Sequence, residues 1–313
     1  MPEGKRVTYD ELLASANPEI AKQANVETFI KKEAKIQESL DELERRFVAA
    51  DPDVAVMINC DQGEWFWDDN YPLINVYWGD SVHIIGEAYH SFGEGIENPR
   101  RGYLKEDQDW PVDSALGRHI LEALLEQDFD VASSRYQKEA YGGSIGPGGW
   151  YLDSKRSTKP RPLGVPHAIG LPMGRWFGGK KVPLVPISVN ALYPPNWISP
   201  HRAYALGRGI RRAIDSWDSD QRIAIGTSGG LSHFVIDEDL DRLSLKGLTE
   251  ANGDILSSLP RHRLQSATSE TIGWIIVAGV MGTPMDIITY QPAYRTPAGT
   301  GVGLCVGHWA NDN

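Results

Sequence analysis

Cysteine is scarce in this sequence of 313 residues, which contains only Cys60 and Cys305. The two lie far apart and form no C-x-x-C spacing, so neither a disulfide framework nor a thiolate metal site is supported. Long apolar runs are also absent: none reaches the roughly 18 residues of a transmembrane helix, and the first residues lack the apolar core of a signal peptide. We therefore expect a cytoplasmic protein with no membrane partner.

Basic residues are the minority among the charged side chains. The sequence has 31 Lys and Arg against 42 Asp and Glu, which gives a formal net charge of -11. An excess of negative charge disfavours nucleic acid and anionic membrane surfaces as partners. A small anionic substrate stays compatible with it, since the charge inside a pocket can oppose the net charge. Apolar residues make up 41% of the chain and ten Trp are present, which indicates a globular enzyme rather than a disordered chain.

Apolar strands alternate with amphipathic helices along the chain, and this pattern predicts an α/β fold. The predicted strands cover residues 54–58, 73–78, 182–189 and 223–225, and the main predicted helices cover residues 26–50, 113–129, 204–217, 237–256 and 271–281. Residues 54–58 are apolar without alternation, as in a sheet covered on both faces. We expect a polar N-terminal arm over residues 1–25 and then a single three-layer domain over residues 26–313. Its mostly parallel or mixed central sheet would carry helices on both faces.

Polar side chains directly follow the first predicted strand. Asp61, Gln62 and Glu64 lie in the loop after residues 54–58, next to several aromatic residues. Ligands of α/β proteins bind beyond the carboxyl ends of strands, and burying polar groups without partners is costly. The pattern therefore favours a ligand-binding role for this loop, and a solvated turn is the alternative.

A glycine-rich turn follows the strand predicted over residues 223–225 and leads to His233. Gly226, Gly229 and Gly230 let the backbone turn sharply and approach a neighbour closely. The turn places an imidazole beyond a strand end, where chemistry is expected in an α/β sheet. The alternative interpretation is a core histidine bonded to a backbone carbonyl group.

Glu270 directly precedes the apolar helix predicted over residues 271–281. We predict Thr268 or Ser269 as the N-cap residue, with Glu270 in the first turn. A carboxylate in that position interacts favourably with the helix dipole. A purely structural role is therefore one interpretation of Glu270.

Four sequence blocks occur in an order that resembles one enzyme family. They are residues 53–72 with Cys-Asp-Gln-Gly-Glu-Trp-Phe, residues 185–196 with Val-Pro-Ile-Ser-Val-Asn, residues 228–234 with Ser-Gly-Gly-Leu-Ser-His-Phe, and residues 268–274 with Thr-Ser-Glu. Together they resemble the class III extradiol ring-cleavage dioxygenases of the LigB type, from about Val7 to Trp309. The resemblance implies a non-haem Fe(II) enzyme that opens the ring of a catecholic substrate with O2. Protocatechuate, gallate and 3-O-methylgallate are the substrates it suggests.

The resemblance also implies a role for individual residues. His233 resembles the acid–base residue that deprotonates the phenol, a role that suits the pKa range of imidazole. His167 resembles a second pocket histidine that contacts the substrate or dioxygen. The implied metal ligands are Glu270, Gln62 and Glu64, and the implied substrate-binding residues are Ser232 and Asn190.

Two departures from the family pattern concern the metal. The family's first histidine ligand lies in a Ser-His motif after an N-terminal strand, and this chain has neither; its second histidine falls at the position of Gln62. Imidazole is the better ligand for Fe(II) in such triads, so we expect weak Fe(II) binding by this chain. The alternatives are a non-catalytic LigB-like subunit that lacks a complete metal site, and a metal-dependent hydrolase on the same fold. A homodimer is the expected assembly, with a second kind of subunit as the alternative.

Overall fold

The computed structural model describes residues 7–66, 70–84, 104–137, 140–141, 160–161 and 164–310. Nine α-helices lie within these ranges. They are α1 (Tyr9–Ser15), α2 (Glu19–Gln23), α3 (Val26–Ala50), α4 (Ser114–Leu125), α5 (His167–Trp176), α6 (Pro200–Asp215), α7 (Glu238–Thr249), α8 (Gly253–Ser257) and α9 (Thr271–Met281). None of these described helices is long and apolar enough to cross a membrane.

Twelve strands lie within the same ranges. They are β1 (Val54–Cys60), β2 (Ile74–Tyr77), β3 (Ser81–Ile84), β4 (Gln108–Pro111), β5 (Ala132–Ser134), β6 (Ala140–Tyr141), β7 (Pro160–Arg161), β8 (Leu184–Val189), β9 (Ile223–Thr227), β10 (His233–Val235), β11 (Asp286–Tyr294) and β12 (Thr300–His308). Five of them form a sheet in the order β5, β2, β8, β1, β9, and three form a sheet in the order β10, β12, β11. The pairs β3–β4 and β6–β7 form two-stranded sheets.

The five-stranded sheet is mixed but mostly parallel. β1 pairs in parallel with both β8 and β9, and β2 pairs in parallel with β5, whereas β2 and β8 are antiparallel. Every residue of β1 and β8 is buried, which for β1 agrees with the apolar run without alternation at residues 54–58. The α/β fold class with a mixed central sheet is therefore confirmed.

The chain forms two compact units. The first unit comprises Met1–Leu43, Ser199–Gly207 and Gly229–Asn313, and it contains the three-stranded sheet. The second unit comprises Glu44–Ile198 and Arg208–Ser228, and it contains the five-stranded sheet. The described part of the predicted N-terminal arm holds α1 and α2, and the predicted boundary of the arm at residue 26 stays a prediction.

The start of α5 in the second unit is fixed by apolar packing further along the helix. Ile169, Met173 and the adjacent Phe177 are buried, and the Phe177 ring stacks on Phe47 with centroids 4.6 Å apart. Full burial of side chains of this size stabilises a protein by about 1.5–3 kcal/mol each. This packing holds the backbone of His167, the first residue of α5.

The single helical run predicted over residues 237–256 is two helices. α7 ends at Thr249, and α8 begins four residues later, after Ala251 adopts a positive φ of 48°. The side chain of Asn252 accepts a hydrogen bond from the backbone N–H of Ile255 and so caps α8. Asn is a favoured N-cap residue, and this local signal outweighs the continuous helical spacing.

Candidate active site

Three polar residues follow β1 at its carboxyl end in the second unit. Asp61, Gln62 and Glu64 are all buried. Because β8 and β9 run parallel to β1, the loops after these three strands lie at the same edge of the sheet. Such an edge is where α/β proteins bind ligands. The metal-ligand roles of Gln62 and Glu64 stay predictions.

Asp61 stabilises the loop after β1. Its carboxylate accepts hydrogen bonds from the backbone N–H of Trp65 (3.0 Å), the backbone N–H of Phe66 (3.2 Å) and the hydroxyl of Tyr71 (2.8 Å). Burial and then the nearby charge of Glu64 raise the pKa of Asp61 to about 6. A buried carboxyl group needs such donors, since an unpaired one is costly. Asp61 therefore shapes the loop that carries Glu64.

The carboxylate of Glu64 contacts His167 twice. Its Oε1 lies 2.5 Å from the ring nitrogen Nδ1 of His167, and its Oε2 accepts a 2.9 Å hydrogen bond from the backbone N–H of the same residue. The side chains are 6% exposed for Glu64 and 15% exposed for His167. The pair joins the loop after β1 to the first residue of α5, although 103 residues separate them in the chain.

Asn190, a predicted substrate-binding residue after β8, is engaged in a turn. Its amide nitrogen donates to the carbonyl oxygens of Tyr193 (2.9 Å) and Asn196. Its amide oxygen accepts from the backbone N–H of Tyr193 at 2.9 Å. Both ends of this buried amide are therefore used to hold the turn, and the contact with substrate stays a prediction.

In the first unit, His233 on β10 faces Glu270. Nε2 of His233 lies 3.3 Å from Oε2 of Glu270, and the side chains are 16% and 9% exposed, respectively. The other ring nitrogen, Nδ1, lies 2.9 Å from the carbonyl oxygen of Leu231. A carbonyl oxygen only accepts hydrogen bonds, so Nδ1 carries a proton and Nε2 is the nitrogen that gains or loses one. The carbonyl oxygen of Leu231 thus binds Nδ1, and Nε2 is the ring nitrogen placed to exchange a proton.

The turn at Gly229 and Gly230, before His233, is in close contact with the side chain of Glu270. The backbone N–H of Gly230 donates to Oε2 of Glu270 at 3.1 Å. Gly229 has a φ of 122°, and a Cβ atom on it would lie 2.5 Å from the same Oε2. The indole N–H of Trp274 donates to the carbonyl oxygen of Gly229 at 2.9 Å. Position 229 requires glycine both for its conformation and for this close approach, and the turn orients the Glu270 carboxylate.

The predicted N-cap of α9 is wrong. A 3-10 helix (Ser266–Glu270) precedes α9, and Glu270 itself occupies the N-cap position without a side-chain capping bond. Thr268 and Ser269 lie within this 3-10 helix rather than at the N-cap position of α9. The hydroxyl of Thr268 instead accepts a 2.9 Å hydrogen bond from the backbone N–H of His233.

Asp241 on α7 is a buried residue that the sequence reasoning missed. Its carboxylate accepts hydrogen bonds from the backbone N–H and the hydroxyl of Ser232, at 2.8 and 2.7 Å, and from the hydroxyl of Tyr290 at 2.7 Å. The Ser232 hydroxyl also accepts from the backbone N–H of Asp237 at 3.0 Å. The predicted substrate-binding side chain of Ser232 therefore stabilises the backbone next to His233, and its contact with substrate stays a prediction.

The iron centre that the family resemblance implies is a facial triad of three protein ligands. Among the residues that the structure describes, no group of three or more His, Cys, Asp or Glu side chains is placed to hold a metal ion. His233 and Glu270 bring two ligand atoms within 3.3 Å, and both oxygens of Glu64 contact His167. The described residues therefore form two His–Glu pairs and do not fit a complete triad.

Comparisons with known proteins bear on the family of the chain. A family model described as the catalytic LigB subunit of aromatic ring-opening dioxygenase matches residues 30–305. The gallate dioxygenase of Pseudomonas putida is 27% identical over 203 residues, which cover 60% of this chain and 51% of the relative. The chain therefore spans about half the length of this curated relative.

Proposed function

We propose, since the chain belongs to the family of catalytic LigB subunits of aromatic ring-opening dioxygenases, that it is an Fe(II)-dependent extradiol dioxygenase. Its substrates would be O2 and a carboxylated or methoxylated o-diphenol such as protocatechuate, gallate or 3-O-methylgallate. The observation that carries the proposal is the family match over residues 30–305, a range that includes every predicted site residue. The likeness to a gallate dioxygenase supports the substrate class.

His233 is the proposed acid–base residue. A diphenol must lose at least one phenol proton before its ring is opened, and imidazole accepts protons near neutral pH. Because Leu231 engages Nδ1–H, the phenol proton would move to Nε2. The Glu270 carboxylate, 3.3 Å from Nε2, would stabilise the imidazolium that forms. The same Nε2–H could then return the proton as the ring opens.

The Fe(II) requirement rests on the family resemblance alone. Glu270, Gln62 and Glu64 stay its predicted ligands, and we expect Fe(II) to bind weakly because imidazole is the better ligand at such sites. Anaerobic titration of the 313-residue chain with Fe(II) tests this part separately. Tight, stoichiometric binding would show that the predicted ligand set is wrong.

Oxygen consumption tests the proposed reaction. The protein is loaded anaerobically with excess Fe(II) and mixed with O2 and each of the three diphenols, and O2 uptake and loss of the aromatic absorbance are followed together. We expect uptake of one O2 for each ring opened. The same rings with every ring hydroxyl methylated are matched controls and should not react.

The outcomes of this assay separate the candidate functions. Absence of O2 uptake with all three diphenols at saturating Fe(II) would overturn the proposal and favour the non-catalytic LigB-like subunit. The three diphenols contain no ester or amide bond, so the metal-dependent hydrolase is tested separately with an ester of the same aromatic acids.

The cytoplasmic location and the homodimer stay proposals as well. A homodimer is the commonest symmetric assembly of soluble proteins. Light scattering on the purified chain tests it, and a second kind of subunit would be identified by its co-purification in a fixed ratio.

A further inference from the structure

Glu64 binds both the ring and the backbone of His167. Oε1 is 2.5 Å from Nδ1 of the ring and Oε2 is 2.9 Å from the backbone nitrogen. A charged carboxylate accepts at both oxygens and donates at neither. It is also stabilised at this place by the N-terminal end of the α5 dipole. The helix dipole favours the ionised form of Glu64, which accepts a hydrogen bond from a proton-bearing Nδ1.

We propose that Glu64 is a positioning residue, which holds His167 in the tautomer that has its proton on Nδ1 and the ring's basic lone pair on Nε2. The proposal rests on the proposed function in so far as His167 acts in ring opening. It gives Glu64 a role different from the metal ligand that the sequence predicts. The orienting partner of a catalytic histidine decides which ring nitrogen can react.

The elements that carry the two residues are themselves held in place. The indole N–H of Trp65, next to Glu64, donates to the carbonyl oxygen of Gly164 at 2.8 Å. The hydroxyl of Ser228 donates at 2.9 Å to the carbonyl oxygen of Ala168 in the first turn of α5. Pro166, the N-cap residue of α5, makes no side-chain capping bond. Glu64 therefore provides the cap from a distant loop and clamps the ring of His167 with the same carboxylate.

A capping role alone would need only the contact to the backbone nitrogen. The contact to Nδ1 adds a second constraint, because it fixes the ring about its side-chain torsions and selects one tautomer. The opposite arrangement, in which a protonated Glu64 donates to Nδ1, would place the ring proton on Nε2. The two arrangements differ in a quantity that can be measured directly.

Nitrogen NMR measures the tautomer. The eight histidines are labelled with 15N in the ring, long-range 1H–15N spectra are recorded on the metal-free chain, and the His167 signals are assigned by their loss in His167→Asn. We expect wild-type His167 to be the Nδ1–H tautomer and Glu64→Gln to lose that preference, because the amide N–H of Gln can donate to Nδ1. An Nε2–H tautomer in the wild type would overturn the proposal, whatever the behaviour of Glu64→Gln.

Glu44→Gln is the matched control. Glu44 accepts from Arg175 at 3.1 Å near the other end of α5, so the same chemical change is made on the same helix without touching His167. We expect Glu44→Gln to leave the His167 signals unchanged. A shift of those signals as large as in Glu64→Gln would mean that they report helix packing, and the proposal would fail.

Kinetics and metal binding complete the test. With Fe(II) and the best diphenol, Glu64→Gln should lower kcat by at least about 10-fold with KM within a few-fold, as expected when the reactive tautomer is lost. Fe(II) affinity should stay within a few-fold of wild type. A large loss of Fe(II) affinity with an unchanged tautomer would make Glu64 a metal ligand and overturn the proposal. If the wild type opens no ring, the proposed function fails, whereas the NMR result still decides the role of Glu64.

Discussion

Two histidine–glutamate pairs, one in each unit, use the same residue types in opposite ways. In the pair His167–Glu64 the carboxylate meets Nδ1 at 2.5 Å and also bonds the histidine backbone. In the pair His233–Glu270 the carboxylate faces Nε2 at 3.3 Å, while Nδ1 is held by the carbonyl oxygen of Leu231.

The difference lies in which ring nitrogen the carboxylate meets. In His233 a backbone carbonyl already fixes the tautomer, so Glu270 faces the nitrogen that exchanges a proton. In His167 the contact to Nδ1 comes from the Glu64 carboxylate, and we assign the orienting task to that side chain. We infer that the first carboxylate assists a proton transfer and that the second positions a ring.

The largest effect is expected from His233→Ala. Without the imidazole the phenol loses its proton acceptor, so kcat should fall by roughly 10²–10⁴, with substrate binding within a few-fold. His262, an exposed histidine of the same unit, provides the control His262→Ala, which should keep wild-type kinetics. An unaltered kcat in His233→Ala would remove His233 from the mechanism.

Gly229→Ala tests whether the turn must approach Glu270 closely. The new Cβ would lie 2.5 Å from Oε2 of Glu270 in a backbone with a φ of 122°. We expect a loss of about 3 kcal/mol in the free energy of unfolding, from strain and overpacking together. Gly282→Ala is the control, since its φ is 64° and nothing lies within 4 Å of its Cβ position; it should cost about 1 kcal/mol. Equal losses in urea unfolding would contradict the close approach.

Glu270→Gln tests whether the negative charge that faces Nε2 of His233 contributes to kcat. The amide oxygen can still accept from the backbone N–H of Gly230, so the fold should change little. Measured at saturating Fe(II), loss of the charge-assisted contact to the imidazolium should lower kcat by about 10- to 100-fold, equivalent to about 1.5–3 kcal/mol. If Glu270→Gln lowers the free energy of unfolding by more than about 3 kcal/mol but keeps the wild-type kcat, the role of Glu270 is structural.

Asp241→Asn should remove a pH-dependent contribution to stability. Burial raises the pKa of the Asp241 carboxyl above its ordinary value of 3.8, although Tyr290 and Ser232 donate hydrogen bonds to it. The folded protein therefore keeps this proton to a higher pH than the unfolded chain, so the free energy of unfolding falls as pH rises through that window. Relative to Asp241→Asn, the wild type should lose stability from about pH 4 upward. Asp239→Asn, at an exposed position of the same helix, is the control; equal pH slopes in all three proteins would be evidence against the effect.

Local patterns predicted much of the fold. The unbroken apolar run at residues 54–58 predicted the buried strand β1, and glycines next to an apolar strand pointed to His233. The predicted LigB resemblance is confirmed by the family match over residues 30–305.

Local sequence patterns do not predict contacts between residues that are far apart in the chain. Glu64 and His167 meet across 103 residues, and no spacing rule reports a contact of that kind. The sequence indicates the burial of Asp241 only weakly. Asp241 shares helical spacing with Leu245 and Leu248, so it lies in the apolar stripe of its helix. A carboxylate in such a stripe usually has a buried partner. The side chains of Asn190 and Ser232 are engaged in their own turns through contacts that their sequence motifs do not encode.

Isotope incorporation tests the central claim, that this chain opens aromatic rings with O2, most directly. The Fe(II)-loaded protein is incubated with ¹⁸O2 and the diphenol that gives the fastest oxygen uptake, and the ring-opened product is analysed by mass spectrometry. We predict that both atoms of one ¹⁸O2 molecule appear in the product of the wild type and of His262→Ala, and that His233→Ala forms it far more slowly. A product with oxygen from water only, or an intact ring after complete Fe(II) loading, would contradict the account.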